Sequence, residues 1–177
     1  MTLIGFLSTV GMLFEAIYYF CCPKFSIMRG LVQRVIQASV TVEGNIVAEI
    51  CNGVLVLVGI ETADTAEDSN WLASKISALR IFDDENGVMN KSLVEIRGEA
   101  LVVSQFTLHA LTKKGNRPSY IKAARSEVAI PLYEQFIFDL QSAISTQVKT
   151  GSFGAHMQLS LINDGPVTIW IDTKSRE

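Results

Sequence analysis

The sequence predicts an α+β fold in which a mixed, mostly antiparallel β-sheet curls toward a barrel and carries two principal helices. Three observations predict it. A β-branched run doubles back at Glu43-Gly44-Asn45, a wholly apolar run Val54-Leu55-Val56-Leu57-Val58 lies between Gly53 and Gly59, and helical apolar spacing recurs at residues 65–79 and 128–148. Strands in hairpin order with helices inserted between them argue for one sheet covered by helices.

The strand pattern starts at Met28, where Met28-Arg29-Gly30-Leu31-Val32-Gln33-Arg34-Val35 opens directly. Before it, Leu3 to Cys22 is apolar apart from Glu15 and a few small polar residues, about the length that spans a bilayer. No basic residue precedes that run, Gly5 and Gly11 interrupt it, and it lacks a small-residue cleavage site, so it makes a poor signal peptide. Residues 1–27 are therefore an apolar extension, either an anchor or the product of a start assigned upstream of Met28, and residues 28–177 are the folded domain. Inside that domain Leu31–Val42 and Ile46–Ile50 read as a hairpin, because Gly44 and Asn45 supply the positive φ of a tight turn. Val54–Val58 reads as a central strand buried on both faces. Asp64, three residues before Glu67, resembles a capping box, and Leu72, Ile76 and Leu79 follow at helical spacing. Asp83-Asp84-Glu85-Asn86-Gly87 is a solvated turn without the ligand alternation of a calcium loop. Ala100–Leu108 reads as a strand and Ala110–Pro118 as a polar loop. From Val128 to Val148 a stripe of Tyr133, Phe136, Ile137, Leu140, Ile144 and Val148 marks the longest helix. His156–Ile162, Asn163-Asp164-Gly165-Pro166 and Val167–Asp172 read as a closing hairpin.

The totals narrow the function. With 177 residues, 49% hydrophobic and 19% charged, the chain has the composition of a packed domain rather than a disordered one. A net charge of −3 excludes a uniformly basic nucleic-acid binder and leaves room for a local basic stripe. Cys21, Cys22 and Cys51 form no disulfide framework, and His109 and His156 stand too far apart to nucleate a metal site, so neither metal nor cofactor is expected.

Candidate chemistry concentrates in a few places. Thr107 and His109 stand two apart on a strand, so they share a face and invite a nucleophile-and-base reading, although strand threonines more often serve in cross-strand packing. Lys113, Lys114, Arg117, Lys122 and Arg125 fall in a stretch without acids, either a solvated loop or a phosphate-holding surface. Asp164-Gly165-Pro166 reads by itself as an ordinary turn with a trans peptide, the common isomer before proline.

Three blocks carry a resemblance over essentially all of residues 28–177: Gln33-Arg34-Val35; Ser104-Gln105-Phe106-Thr107-Leu108 continuing through Lys114-Gly115-Asn116-Arg117-Pro118-Ser119; and Phe153-Gly154-Ala155 with Met157, then Asn163-Asp164-Gly165-Pro166-Val167-Thr168. In their order and spacing they resemble the D-aminoacyl-tRNA deacylase family. The resemblance implies a hydrolase that proofreads translation by cleaving the ester between a D-amino acid, or mischarged glycine, and the 3′-terminal adenosine of tRNA, while sparing the L form. It also implies a cytoplasmic homodimer whose site lies at the subunit interface, with aminoacyl-tRNA as partner and neither DNA nor membrane expected. Gly165 and Pro166, joined by a cis peptide, would select chirality by backbone. Ser104, Gln105, Phe106 and Thr107 would form the catalytic end, with Phe106 and Thr107 amides facing the oxyanion, Gln105 toward the adenosine, and Thr107 either positioning groups or acting as nucleophile. Arg34, Met157 and Asn163 would support the pocket, and Lys113, Lys114 and Arg117 would meet tRNA phosphates.

Overall fold

The computed structural model describes residues 27–175, so all but the last residue of the apolar extension lies outside the described residues. A 14-residue strand, β1 (Arg29–Val42), organises the sheet. It pairs antiparallel with β2 (Asn45–Ile50) along its second half and with β3 (Gly53–Gly59) along its first half. The last strand, β8 (Gln158–Asp172), runs antiparallel to nearly all of it. On the far side of β3 two parallel partners follow, β6 (Glu99–Ser104) and then β7 (Val148–Thr150). Lys149 on β7 donates from Nζ to the Glu49 carbonyl of β2 at 2.6 Å, bringing the two ends of the sheet together and nearly closing a barrel. Parallel neighbours need long crossovers. Helix α1 (Ala66–Ala78), with the small hairpin β4 (Arg80–Asp83) and β5 (Met89–Ser92), links β3 to β6. Helix α2 (Ser126–Ala143) links β6 to β7.

The apolar run at Val54–Val58 is central, as its composition requires. Val54, Val56 and Val58 join Ala100 and Val102 of β6 against Leu72 and Ile76 of α1 and Phe136 and Leu140 of α2. Leu55, Leu101 and Val103 point the other way, into the barrel, with Val35, Ala38, Val40 and Ile50. Period-two alternation with both faces apolar is what a strand buried on both sides must carry. A bond between the helices, Ser69 Oγ donating to Asp139 Oδ2 at 2.7 Å, fixes how α1 and α2 sit on that face. Among the described residues no helix is long and apolar enough to cross a membrane.

Four expectations change. The capping box lies one residue later than read: Thr65 precedes α1, its amide and hydroxyl donating to Asp68 Oδ2 at 3.1 and 2.9 Å, while Asp64 accepts from the Glu61 amide at 2.7 Å. The long helix ends at Ala143, and Val148 belongs to β7. The strand expected through Leu108 stops at Ser104, and Phe106–His109 is a 3-10 helix. The closing hairpin is absent. Residues 158–172 are one strand, because β1 is long enough to pair with both halves, and the Asn163–Val167 stretch swells out of it as a bulge.

Candidate active site

Strands β3 and β6 run parallel and end side by side, and a cleft of about 400 Å³ lies at that shared end. The amide of Gln105 donates to the Val58 carbonyl at 2.7 Å, after which the chain leaves the ladder and coils. Gly59 makes room for the coil: a Cβ there would stand 3.0 Å from Leu108 Cβ, 3.1 Å from the Gln105 carbonyl oxygen and 3.1 Å from His109 Cδ2. Ser104, Gln105 and Phe106 thus become one wall of the cleft, facing Gly154 and Met157, with Arg125 where α2 begins. Met157 fits because Gly151 lacks a side chain; a Cβ there would lie 2.6 Å from the Met157 sulfur. Phe153, which also lines the cleft, packs on Tyr133 with ring centroids 5.6 Å apart, and the Tyr133 hydroxyl donates to the Val102 carbonyl at 2.9 Å.

Thr107 lies just past this wall, and its hydroxyl accepts a hydrogen bond from the Gln105 side-chain amide. The first amides of a helical turn have no acceptor within it, which leaves the N–H groups of Phe106 and Thr107 unclaimed by the 3-10 turn. His109 is not placed to serve Thr107. Because the strand has ended, the two residues no longer share a strand face, and they form no hydrogen bond with each other among the described residues. His109 is 1% exposed with Nε2 unpartnered, and burial pushes its pKa below the ordinary imidazole value, only partly offset by a bond to the Gly59 backbone. A buried neutral imidazole is a packing group here.

The second predicted segment occupies the bulge. Asn163 pairs with Val35 and Thr168 with Gln33, so Asp164, Gly165, Pro166 and Val167 together face the single residue Arg34. Asn163 closes the neck: its Oδ1 accepts from the Val167 amide at 3.0 Å and its Nδ2 donates to the Val167 carbonyl at 3.1 Å. Arg34, 5% exposed, donates from Nε to the Asp164 carbonyl at 3.1 Å and pairs with the Asp164 carboxylate at 3.0 Å. Its Nη1 donates to the Ile81 carbonyl at 2.7 Å, so the guanidinium links the bulge to β4. The Gly165–Pro166 peptide is cis and Gly165 adopts φ 120°, with both residues exposed at the tip.

The structure thus gathers Ser104, Gln105, Phe106 and Met157 around one cleft, and Arg34 and Asn163 around one bulge. It does not join the two within a chain, since neither Gly165 nor Pro166 lines the cleft. Lys113, Lys114 and Arg117 lie exposed on a loop whose base is tied by the Leu111–Ser119 bridge, at 2.8 and 3.0 Å. Sequence reading gave no role to Gly151 or to the Asp164 side chain, and it placed Tyr133 only in the core stripe of the long helix and Arg125 only in the basic stretch. Tyr133 and Asp164 act through contacts distant in sequence, with Val102 and Arg34, and Gly151 acts through the space it leaves for Met157, which no pattern of residue types marks.

The family model described as D-Tyr-tRNA(Tyr) deacylase matches residues 31–172. The chain is 63% identical over 150 residues to the D-aminoacyl-tRNA deacylase of Bacteroides fragilis (strain YCH46), covering 85% of this chain and 100% of that protein. The proteins of that name from Flavobacterium psychrophilum and Chromobacterium violaceum are 61% and 59% identical with the same coverage. Among solved structures, the c-Myc DNA Unwinding Element Binding Protein superposes with a TM-score of 0.77 at 41% identity, covering 81% of this chain and 97% of that one. A probable eukaryotic D-amino acid tRNA deacylase superposes with a TM-score of 0.71 at 19% identity, covering 82% and 99%, a likeness of fold.

Proposed function

The chain belongs to the D-aminoacyl-tRNA deacylase family, and on that premise we propose that two copies of it form a hydrolase that frees D-amino acids, and mischarged glycine, from tRNA. The observation that carries the two-copy reading is the separation just described: a cleft bearing Ser104-Gln105-Phe106, and an exposed Gly165-Pro166 tip that lies outside it. A partner's tip inserted into the cleft would complete the site.

The scissile bond joins the amino-acid carbonyl to a ribose oxygen, an ester that needs no strong protein nucleophile. Water adds to the carbonyl, the C–O bond to the ribose breaks, and the amino acid and the free 3′ end of the tRNA leave. The N–H groups of Phe106 and Thr107, which the 3-10 turn leaves without an acceptor, hold the oxyanion that develops in between. Gln105 contacts the adenosine and fixes the Thr107 hydroxyl, which makes Thr107 a positioning group, and the RNA 2′-hydroxyl stands ready to relay the proton. A general esterase with His109 as base finds no support in a buried imidazole that is bonded to the Gly59 backbone and makes no bond to Thr107. Chirality is selected by exclusion: backbone carbonyls of the Gly165-Pro166 tip take the α-amino group and occupy the space of an L side chain. Lys113, Lys114 and Arg117 hold the acceptor-end phosphates.

Matched D- and L-tyrosyl-tRNA test this directly. The D form is expected to lose its amino acid with the L form spared; equal turnover of both would sink the stereochemical reading.

A further inference from the structure

One aromatic pair beside the cleft has a solvent-facing ring surface that the reaction described above does not use. Phe106 lines the cleft yet is 58% exposed. Tyr120, also exposed, meets it edge to face, with ring centroids 5.0 Å apart and planes at 77°. Such a contact uses the edge of one ring and one face of the other, and leaves the remaining ring faces open.

Tyr120 is not on a loose loop. Its segment is tied by the Leu111–Ser119 bridge, by the Glu61–Ala123 bridge, and by the Ala124 amide donating to the Ile60 carbonyl at 2.8 Å. The same segment carries Lys113, Lys114, Arg117, Lys122 and Arg125, all exposed, and among the described residues none of them forms an ion pair. Arg125 also lines the cleft. Held aromatic surface beside unpaired cations is the combination that binds single-stranded nucleic acid, stacking the bases and pairing with the phosphates.

Given the deacylase reading, on which this inference rests, the terminal adenosine occupies the cleft and the strand has to leave over its rim. We propose that the Phe106–Tyr120 pair is the stacking platform for the base immediately upstream of the terminal adenosine, with the cations of the 111–125 segment holding the phosphates that follow. Tyr120 then raises affinity for the whole tRNA, and the ester-cleaving groups stay as they are.

Hydrolysis of D-tyrosyl-tRNA is compared with that of D-tyrosyl-adenosine, which has no upstream base. Tyr120→Ala is expected to lower kcat/KM for the tRNA about 5- to 100-fold, the loss of one base-aromatic stack, mainly through KM. On D-tyrosyl-adenosine the same change is expected to cost about 2-fold at most, and Tyr120→Phe restores the tRNA rate. An equal loss on both substrates overturns the platform by making Tyr120 a mere support for Phe106; no loss on either overturns it too. Wild-type protein provides a check that needs no variant: a tRNA abasic at the penultimate position should lose the same factor, and an unchanged rate refutes stacking. Inactivity of the wild type on D-tyrosyl-tRNA would instead overturn the deacylase reading, and the platform with it, an outcome distinct from an active enzyme indifferent to the upstream base.

Discussion

Asp64 shows how one buried carboxyl ties this fold to pH. It lies under the start of α1, mostly buried, and burial together with the neighbouring charges of Asp68 and Glu61 pushes its pKa from 3.8 up to about 7, against the lowering effect of the Glu61 amide. Unfolded, the group releases its proton near the ordinary value; folded, it keeps the proton to near neutrality. The folded state therefore binds more protons across that window, and stability falls as pH rises through it. Asp64→Asn keeps an oxygen for the Glu61 amide and removes the titration. Urea midpoints at pH 5 and pH 8 are expected to show the variant losing less stability than the wild type over that interval, by at most about 3 kcal/mol. A wild-type and variant difference that does not change with pH would contradict this account. His109 shows the same pressure with the opposite sign: burial again favours the uncharged form, which for an imidazole lowers the pKa instead of raising it.

Among the elements, the parallel seam between β3 and β6 carries the candidate site, and its tightest point is Gly53. A Cβ there would stand 1.9 Å from the Glu99 carbonyl oxygen and 2.7 Å from its nitrogen, both backbone, so neither can swing aside. Gly53→Ala is expected to cost about 3 kcal/mol in urea or thermal unfolding. Gly44→Ala, at a left-handed turn with open space around it, is expected to cost only about 1 kcal/mol. Similar losses at both positions would show that the seam is looser than described. The same elements mark what could be read from the sequence. Val54–Val58 and the Tyr133, Phe136 and Leu140 stripe were legible because burial writes its period directly into residue choice. The end of β6 was not, because Phe106-Thr107-Leu108 has strand-like composition and the break is made by Val58 accepting the Gln105 amide and by Gly59 opening a berth. Nor was the bulge: Asn163-Asp164-Gly165-Pro166 has the composition of a hairpin turn, and only the length of β1 and the grip of Arg34 turn it into a protrusion. The site residues were named through a resemblance of motifs, and their separation into a cleft and a distant tip could not be read from any local pattern.

At the scale of the whole molecule, the proposed two-chain site is tested by mixing variants. Gln105→Ala damages the cleft and Gly165→Ala the tip, where a Cβ would meet Val167 Cγ2 at 2.8 Å and Arg34 Nη2 at 3.2 Å. Each variant alone should be nearly inactive. In a mixed dimer with exchanged tips, one site collects both defects and the other has none, so co-refolding equal amounts should recover about a quarter of wild-type activity. No recovery would place cleft and tip in the same subunit's site. The pairing of β1 with β8 has a consequence in time as well as in space. Met28 and Thr173 hold each other at the start of that pairing, the Met28 amide donating to Thr173 Oγ1 and the Thr173 amide to the Met28 carbonyl, both at 3.0 Å. The first strand of the domain to leave the ribosome thus waits for the last, and contacts so distant along the chain form slowly. A chain that polices the products of translation cannot complete its own sheet, or raise the Gly165-Pro166 tip, until its synthesis is almost finished.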